Sequence, residues 1–157
     1  MKSFVVGCDN AALWLKESLI QCLCEAGCQV EDIGCRDNTD ETPYAAVAES
    51  VCNTIRQSGY VKKGLLLCGT GIGMCMAANK MPGIRAAVCH DLFSAERSVL
   101  SNNANVICMG ERVIGRGHAR RLLERWIALE FVDGSSTPKV EAIMALEKRA
   151  KSNSTGG

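Results

Sequence analysis

The chain has 157 residues, 47% of them hydrophobic, which is enough to bury roughly two-thirds of the unfolded surface in one core and too few for two ordinary domains. Eighteen basic residues against seventeen acidic leave a formal charge of +1, and the one basic stretch, residues 116–125, is not the electrostatic footprint of a nucleic-acid binder. No apolar run approaches the roughly 20 residues needed to span a bilayer, so a soluble, cytoplasmic domain with a small neutral or anionic ligand is expected.

Apolar runs with strand character fall at residues 4–7, 29–33, 64–67, 85–89 and 105–109. Each is followed by helical spacing, over about 11–26, 43–58, 72–80, 93–100 and 115–129. Five such units joined by right-handed crossovers imply an α/β fold, a Rossmann-like three-layer sandwich around a five-stranded parallel sheet with expected order 2-1-3-4-5. After a turn-rich segment at 133–138, helical spacing resumes at Val140, Ile143, Met144 and Leu146, an extra C-terminal helix of the kind that packs on a neighbour. Residues 1–151 read as a single domain and 152–157 as a disordered tail.

Ten cysteines invite a disulfide framework, yet no signal peptide opens the chain and most thiols lie within apolar patterns, which points to a reducing compartment. Cys22, Cys24 and Cys28 form the one tight cluster. They run along a helix into the next strand and lack a fourth ligand, so they read as structural thiols and not as a zinc site.

Ligands of parallel sheets bind beyond the carboxyl ends of the strands. Cys8-Asp9-Asn10, Cys68-Gly69-Thr70, His90-Asp91 and Gly110-Glu111-Arg112 close strands there. The run Leu67-Cys68-Gly69-Thr70-Gly71-Ile72-Gly73 is the most informative, because a strand ending in a thiol turns through three glycines into a helix. Helix-start amides lack intrahelical partners and carry partial positive charge, so they bind oxyanions and favour a neighbouring thiolate. The spacing is not the dinucleotide fingerprint. Nor is it a cysteine-phosphatase loop, since Met74 and Cys75 stand where the phosphate-clamping arginine would fall.

Other residues carry two readings each. Asp9 caps the first helix or binds sugar hydroxyls. Asn79 shapes the turn after the third helix or holds the glycine loop from behind. His90 is a polar rim residue or a ligand contact, and His118 is solvated.

These residues resemble the family of ribose-5-phosphate isomerase B and galactose-6-phosphate isomerase (RpiB/LacAB). The likeness spans nearly the whole chain. It is carried by Gly7-Cys8-Asp9, by Cys68-Gly69-Thr70-Gly71-Ile72-Gly73 with Ala77-Ala78-Asn79-Lys80, by Pro82-Gly83-Ile84-Arg85-Ala86-Ala87, by Asn102-Asn103-Ala104-Asn105 and by Met109-Gly110-Glu111-Arg112. The resemblance implies an aldose-ketose isomerase of a phosphorylated sugar, without metal or cofactor, its active sites shared between the two subunits of a homodimer that could pair into a tetramer. Cys68 would move a proton through an enediolate, Thr70 would orient the sugar, and the amides of Gly69, Gly71, Ile72 and Gly73 would hold the oxyanion. Asp9 would bind hydroxyls, and Arg112 would clamp phosphate.

Two departures bear on substrate. Where the family has two further phosphate-binding arginines this chain has Ser135 and Lys139, so Lys139 alone keeps the charge. Where pentose-phosphate members carry histidines, it has Asn10 and, before Asn102, Ser101; the second of those histidines serves furanose ring opening, for which a serine is not suited. A tetrose 4-phosphate cannot close a furanose and would not need that step. Both D-erythrulose 4-phosphate, as in the erythritol-breakdown branch, and D-ribose 5-phosphate stand as substrates, with a noncatalytic sugar-phosphate subunit, or half of a heteromer, as the alternative.

Overall fold

The computed structural model describes residues 1–154, in which strand and helix alternate through five units: β1 (Ser3–Cys8), α1 (Leu13–Glu25), β2 (Gln29–Asp32), α2 (Tyr44–Gln57), β3 (Lys63–Cys68), α3 (Ile72–Ala78), β4 (Ala86–Val88), α4 (Leu92–Leu100), β5 (Val106–Gly110) and α5 (Arg116–Ala128). A last helix, α6 (Thr137–Ser154), follows. Element boundaries depart from the periodicity reading by two residues at most. Local hydrophobic spacing therefore decided them.

The sheet is wholly parallel, but its order is 2-1-3-5-4 and not 2-1-3-4-5. Length and burial explain the exchange. A strand inside a parallel sheet is covered on both faces and reads as a continuous apolar run. Val106-Ile107-Cys108-Met109-Gly110 is buried at every position, whereas β4 has three residues, all half-buried, and suits the edge.

Side chains alternate across the sheet and divide the core in two. Phe4, Val6, Leu65, Leu67, Ile107 and Met109 face α1, α4 and α5. Val5, Leu66, Cys68, Val106 and Cys108 face α2 and α3. The first layer is stitched by fully buried Trp126, whose indole N–H donates to Ser98 Oγ at 3.1 Å and whose ring meets Phe4 edge-on, 6.0 Å between centroids. The few buried polar groups are paired: Lys16 Nζ lies 2.9 Å from the Asp32 carboxylate and donates to the Cys35 carbonyl at 2.6 Å.

Helix α6 stands apart from these layers. The Glu147 carboxylate accepts from the Gly83 amide at 3.0 Å, while Ile143 and Leu146 remain exposed. The helix continues through Ser154, three residues into the stretch expected to be a tail; residues 155–157 lie outside the described residues. Among the described residues no helix is long and apolar enough to cross a membrane.

Candidate active site

The carboxyl ends of β1, β3 and β5 bring together Asp9, the Cys68 loop and Arg112. Cys68 is the last residue of β3, in register with Gly110 at the end of β5. Gly71 then takes φ 77°, a left-handed conformation that glycine adopts without a Cβ penalty, and this sharp turn starts α3. The turn folds its own amide back over the strand end, so Gly71 N–H donates to Cys68 Sγ at 3.1 Å. The Thr70 hydroxyl accepts from Ile72 N–H at 3.3 Å, and Thr70 itself is exposed.

The end of β5 grips this loop from the side. Glu111 N–H donates to the Cys68 carbonyl and Arg112 N–H to the Gly69 carbonyl, each at 3.0 Å. The Arg112 guanidinium lies across Gly69, with Nη1 3.3 Å from the point a Cβ would occupy. A Cβ on Gly110 would sit 2.4 Å from the Thr70 carbonyl carbon, so glycine is required there for the two backbones to touch.

Asp9 does not cap α1. Its Oδ1 accepts from Ala11 N–H at 3.0 Å in a tight turn, and the cap comes from Glu111, whose carboxylate accepts from Leu15 N–H. Burial raises the Asp9 pKa above the usual carboxylate value, against the opposing pull of the Ala11 amide and of Arg112. Glu111 was legible only as a strand-end residue, since its partner is 96 positions away.

All ten cysteines are free thiols, and most are shut in the core. Burial pushes Cys8 and Cys52 up to about 12 and Cys89 up to about 11, which leaves them protonated at neutral pH. Cys75, one turn beyond the loop, is lowered to about 7, chiefly by its hydrogen bond with the Cys108 thiol. It points between α3 and the sheet, with Sγ 3.4 Å from the Ala86 carbonyl.

The remaining candidates lie elsewhere in the chain. Asn10 is exposed beside Asp9. Ser101 and Asn102 follow α4 and lead into the amino end of β5, the end of the sheet opposite Cys68, with the length of β5, roughly 13 Å at about 3.3 Å per residue, between the two ends. Ser135 and Lys139 are exposed before and in the first turn of α6. Asn79 does not hold the glycine loop: its amide makes two bonds to Ala86, Oδ1 from the N–H and Nδ2 to the carbonyl, both 2.9 Å, and so ties α3 to the start of β4. His90 bonds Gly110, and the Tyr44 ring rests on Gly73, a contact that no local pattern announced.

Known proteins resemble this chain along most of its length. Residues 4–143 match the family described as Ribose/Galactose Isomerase. The chain is 46% identical over 152 residues to the D-erythrulose-4-phosphate isomerase of Pectobacterium atrosepticum, covering 96% of this chain and 99% of that protein. It is 38% identical over 149 residues to ribose-5-phosphate isomerase B of Escherichia coli, covering 95% and 99%. The solved structure of ribose-5-phosphate isomerase B from Clostridium thermocellum superposes with a TM-score of 0.88 at 34% identity, covering 94% and 99%. The match runs along nearly the whole chain, and the chain belongs to the ribose/galactose (RpiB/LacAB) family of sugar-phosphate aldose-ketose isomerases.

Proposed function

We propose that the chain interconverts D-erythrulose 4-phosphate and D-erythrose 4-phosphate, with Cys68 as the proton-transferring group. The observation that carries this reading is the 3.1 Å bond from the Gly71 amide to Cys68 Sγ, a donor that stabilises sulfur in its anionic form. The thiolate takes a proton from the carbon beside the carbonyl. The C–H electron pair becomes the C=C of an enediolate, and the negative charge moves to the carbonyl oxygen. The thiol then returns the proton to the adjacent carbon, and the hydroxyl proton moves between the two oxygens.

Loop amides between Gly69 and Gly73 other than those of Gly71 and Ile72, which bond Cys68 Sγ and the Thr70 hydroxyl, hold the oxyanion, each well-placed donor contributing about 3 to 4 kcal/mol. Thr70 orients the sugar, Asp9 and Asn10 take its hydroxyls, and Arg112 with Lys139 binds the phosphate. The tetrose is supported by the identity to the erythrulose-phosphate enzyme and by Asn10 and Ser101, neither of which supplies an imidazole for ring opening. The second reading, ribose 5-phosphate, is supported by the likeness to ribose-5-phosphate isomerases.

Ser101 and Asn102 reach a substrate at Cys68 only from a second copy, which supports a homodimer with shared sites. The exposed Ile143 and Leu146 beside a groove of about 1150 Å³ between α6 and the β4 edge support the same assembly. Solvent deuterium incorporation tests the chemistry: label is expected at the carbon next to the carbonyl during turnover of erythrulose 4-phosphate. Absence of exchange with this substrate and with ribose 5-phosphate would refute the mechanism. Faster turnover of ribose 5-phosphate than of the tetrose, assayed side by side, would overturn the substrate assignment.

A further inference from the structure

Between β4 and β5 the ladder closes where Cys89 N–H donates to the Cys108 carbonyl at 3.0 Å. The next β5 donor on that side is Gly110 N–H, and no strand lies beside it, because β4 ends at Val88. The imidazole of His90 takes the missing place, Nε2 accepting from Gly110 N–H at 2.8 Å. A ring nitrogen that accepts carries no proton, so His90 is held neutral with its proton on Nδ1.

Gly110 in turn presses on the active loop. The point where its Cβ would lie is 2.4 Å from the Thr70 carbonyl carbon and 2.7 Å from the carbonyl oxygen. Those atoms belong to the Thr70–Gly71 peptide, whose N–H is the donor to Cys68 Sγ. One line of contacts therefore runs from the imidazole through the Gly110 backbone and one peptide plane to the sulfur.

We propose that His90 is a positioning residue for Cys68: by anchoring Gly110 it fixes the Thr70–Gly71 peptide at the height where its N–H meets the thiolate. The role is indirect, and it rests on the reading of Cys68 as the group that moves the proton. A displaced peptide weakens the donor in the step where sulfur is charged and leaves the Asp9 and Arg112 contacts to hydroxyls and phosphate in place. The effect falls on kcat and not on KM.

His90→Leu keeps bulk and removes the acceptor, whereas His90→Gln offers a carbonyl oxygen near the position of Nε2. His90→Leu is expected to lower kcat by about tenfold to a hundredfold with KM unchanged, and His90→Gln to recover most of the loss. Equal kcat in His90→Leu and wild type, equal losses in both variants, or a change in KM alone would overturn the proposal. If either variant fails to fold, the wild-type protein decides, since it has two histidines and their ring nitrogens are readily told apart by nitrogen-15 spectra. A protonated Nδ1 with a bare Nε2 on His90 supports the anchor, and a protonated Nε2 refutes it. The spectra do not depend on turnover, so a wild-type protein without isomerase activity would sink the reading of Cys68 while leaving the anchor to be judged by itself.

Discussion

The Glu111 carboxylate accepts a hydrogen bond from the Leu15 amide at 3.0 Å, so the end of β5 caps the first turn of α1. Ala12, at the cap position of that helix, has no side chain able to do so. Glu111→Ala should cost about 1 to 2 kcal/mol of stability, the usual loss of an N-cap. Urea unfolding checks this: the midpoint falls with an unchanged slope, and Glu111→Gln, which retains an acceptor, recovers most of the difference.

Cys68→Ser should lower kcat by about 10² to 10⁴, the range of a lost acid-base group, while the sugar phosphate still binds. Cys75→Ala serves as the control, because that thiol is lowered to about 7 but bonds Cys108 and the Ala86 carbonyl. Steady-state kinetics should show near wild-type kcat for Cys75→Ala. Mixing Cys68→Ser with Asn102→Ala after joint refolding should restore activity that neither has alone, because the proposed sharing of sites leaves one site of a mixed dimer intact.

Ser101→His should open ribose 5-phosphate to the enzyme. An imidazole with a pKa near about 6.5 can exchange the ring-oxygen proton that a serine cannot, and the gain in kcat/KM on the pentose should reach about 10²-fold. Turnover of erythrulose 4-phosphate, which needs no ring opening, should be unaltered. A parallel assay of both substrates reads the change directly.

Asp9 links stability to pH. Burial raises its pKa above the ordinary 3.8, so the folded state disfavours the ionised form. By proton linkage, the stability this group contributes is full below pH 3.8 and is lost as pH rises through the higher folded value. Asp9→Asn keeps the acceptor for the Ala11 amide and removes the charge. Its Tm should exceed wild type at pH 7, with the advantage fading on acidification, while isomerase activity falls at every pH for want of the carboxylate.

The βα units were legible because strand and helix announce themselves through periods of two and 3.6 residues, which need no knowledge of distant chain. The thiol at the end of β3 and the glycine turn after it were legible for the same reason. Asn79 was legible as a turn-shaping residue, but its partner, like those of Glu111 and His90, was not. Each closes its hydrogen bond on a residue brought close by folding: Ala86 across a turn, Leu15 from another layer, Gly110 from the neighbouring strand.

From its residues alone, then, this chain declares an α/β sheet, a sulfur at a strand end and a helix start aimed at it, all properties of consecutive residues. The exchange of β4 and β5, the imidazole seated where a strand stops, and the separation of Ser101 and Asn102 from Cys68 belong to the assembled sheet. Strand order is settled by which run can be covered on both faces, and a three-residue, half-buried β4 yields the interior to β5.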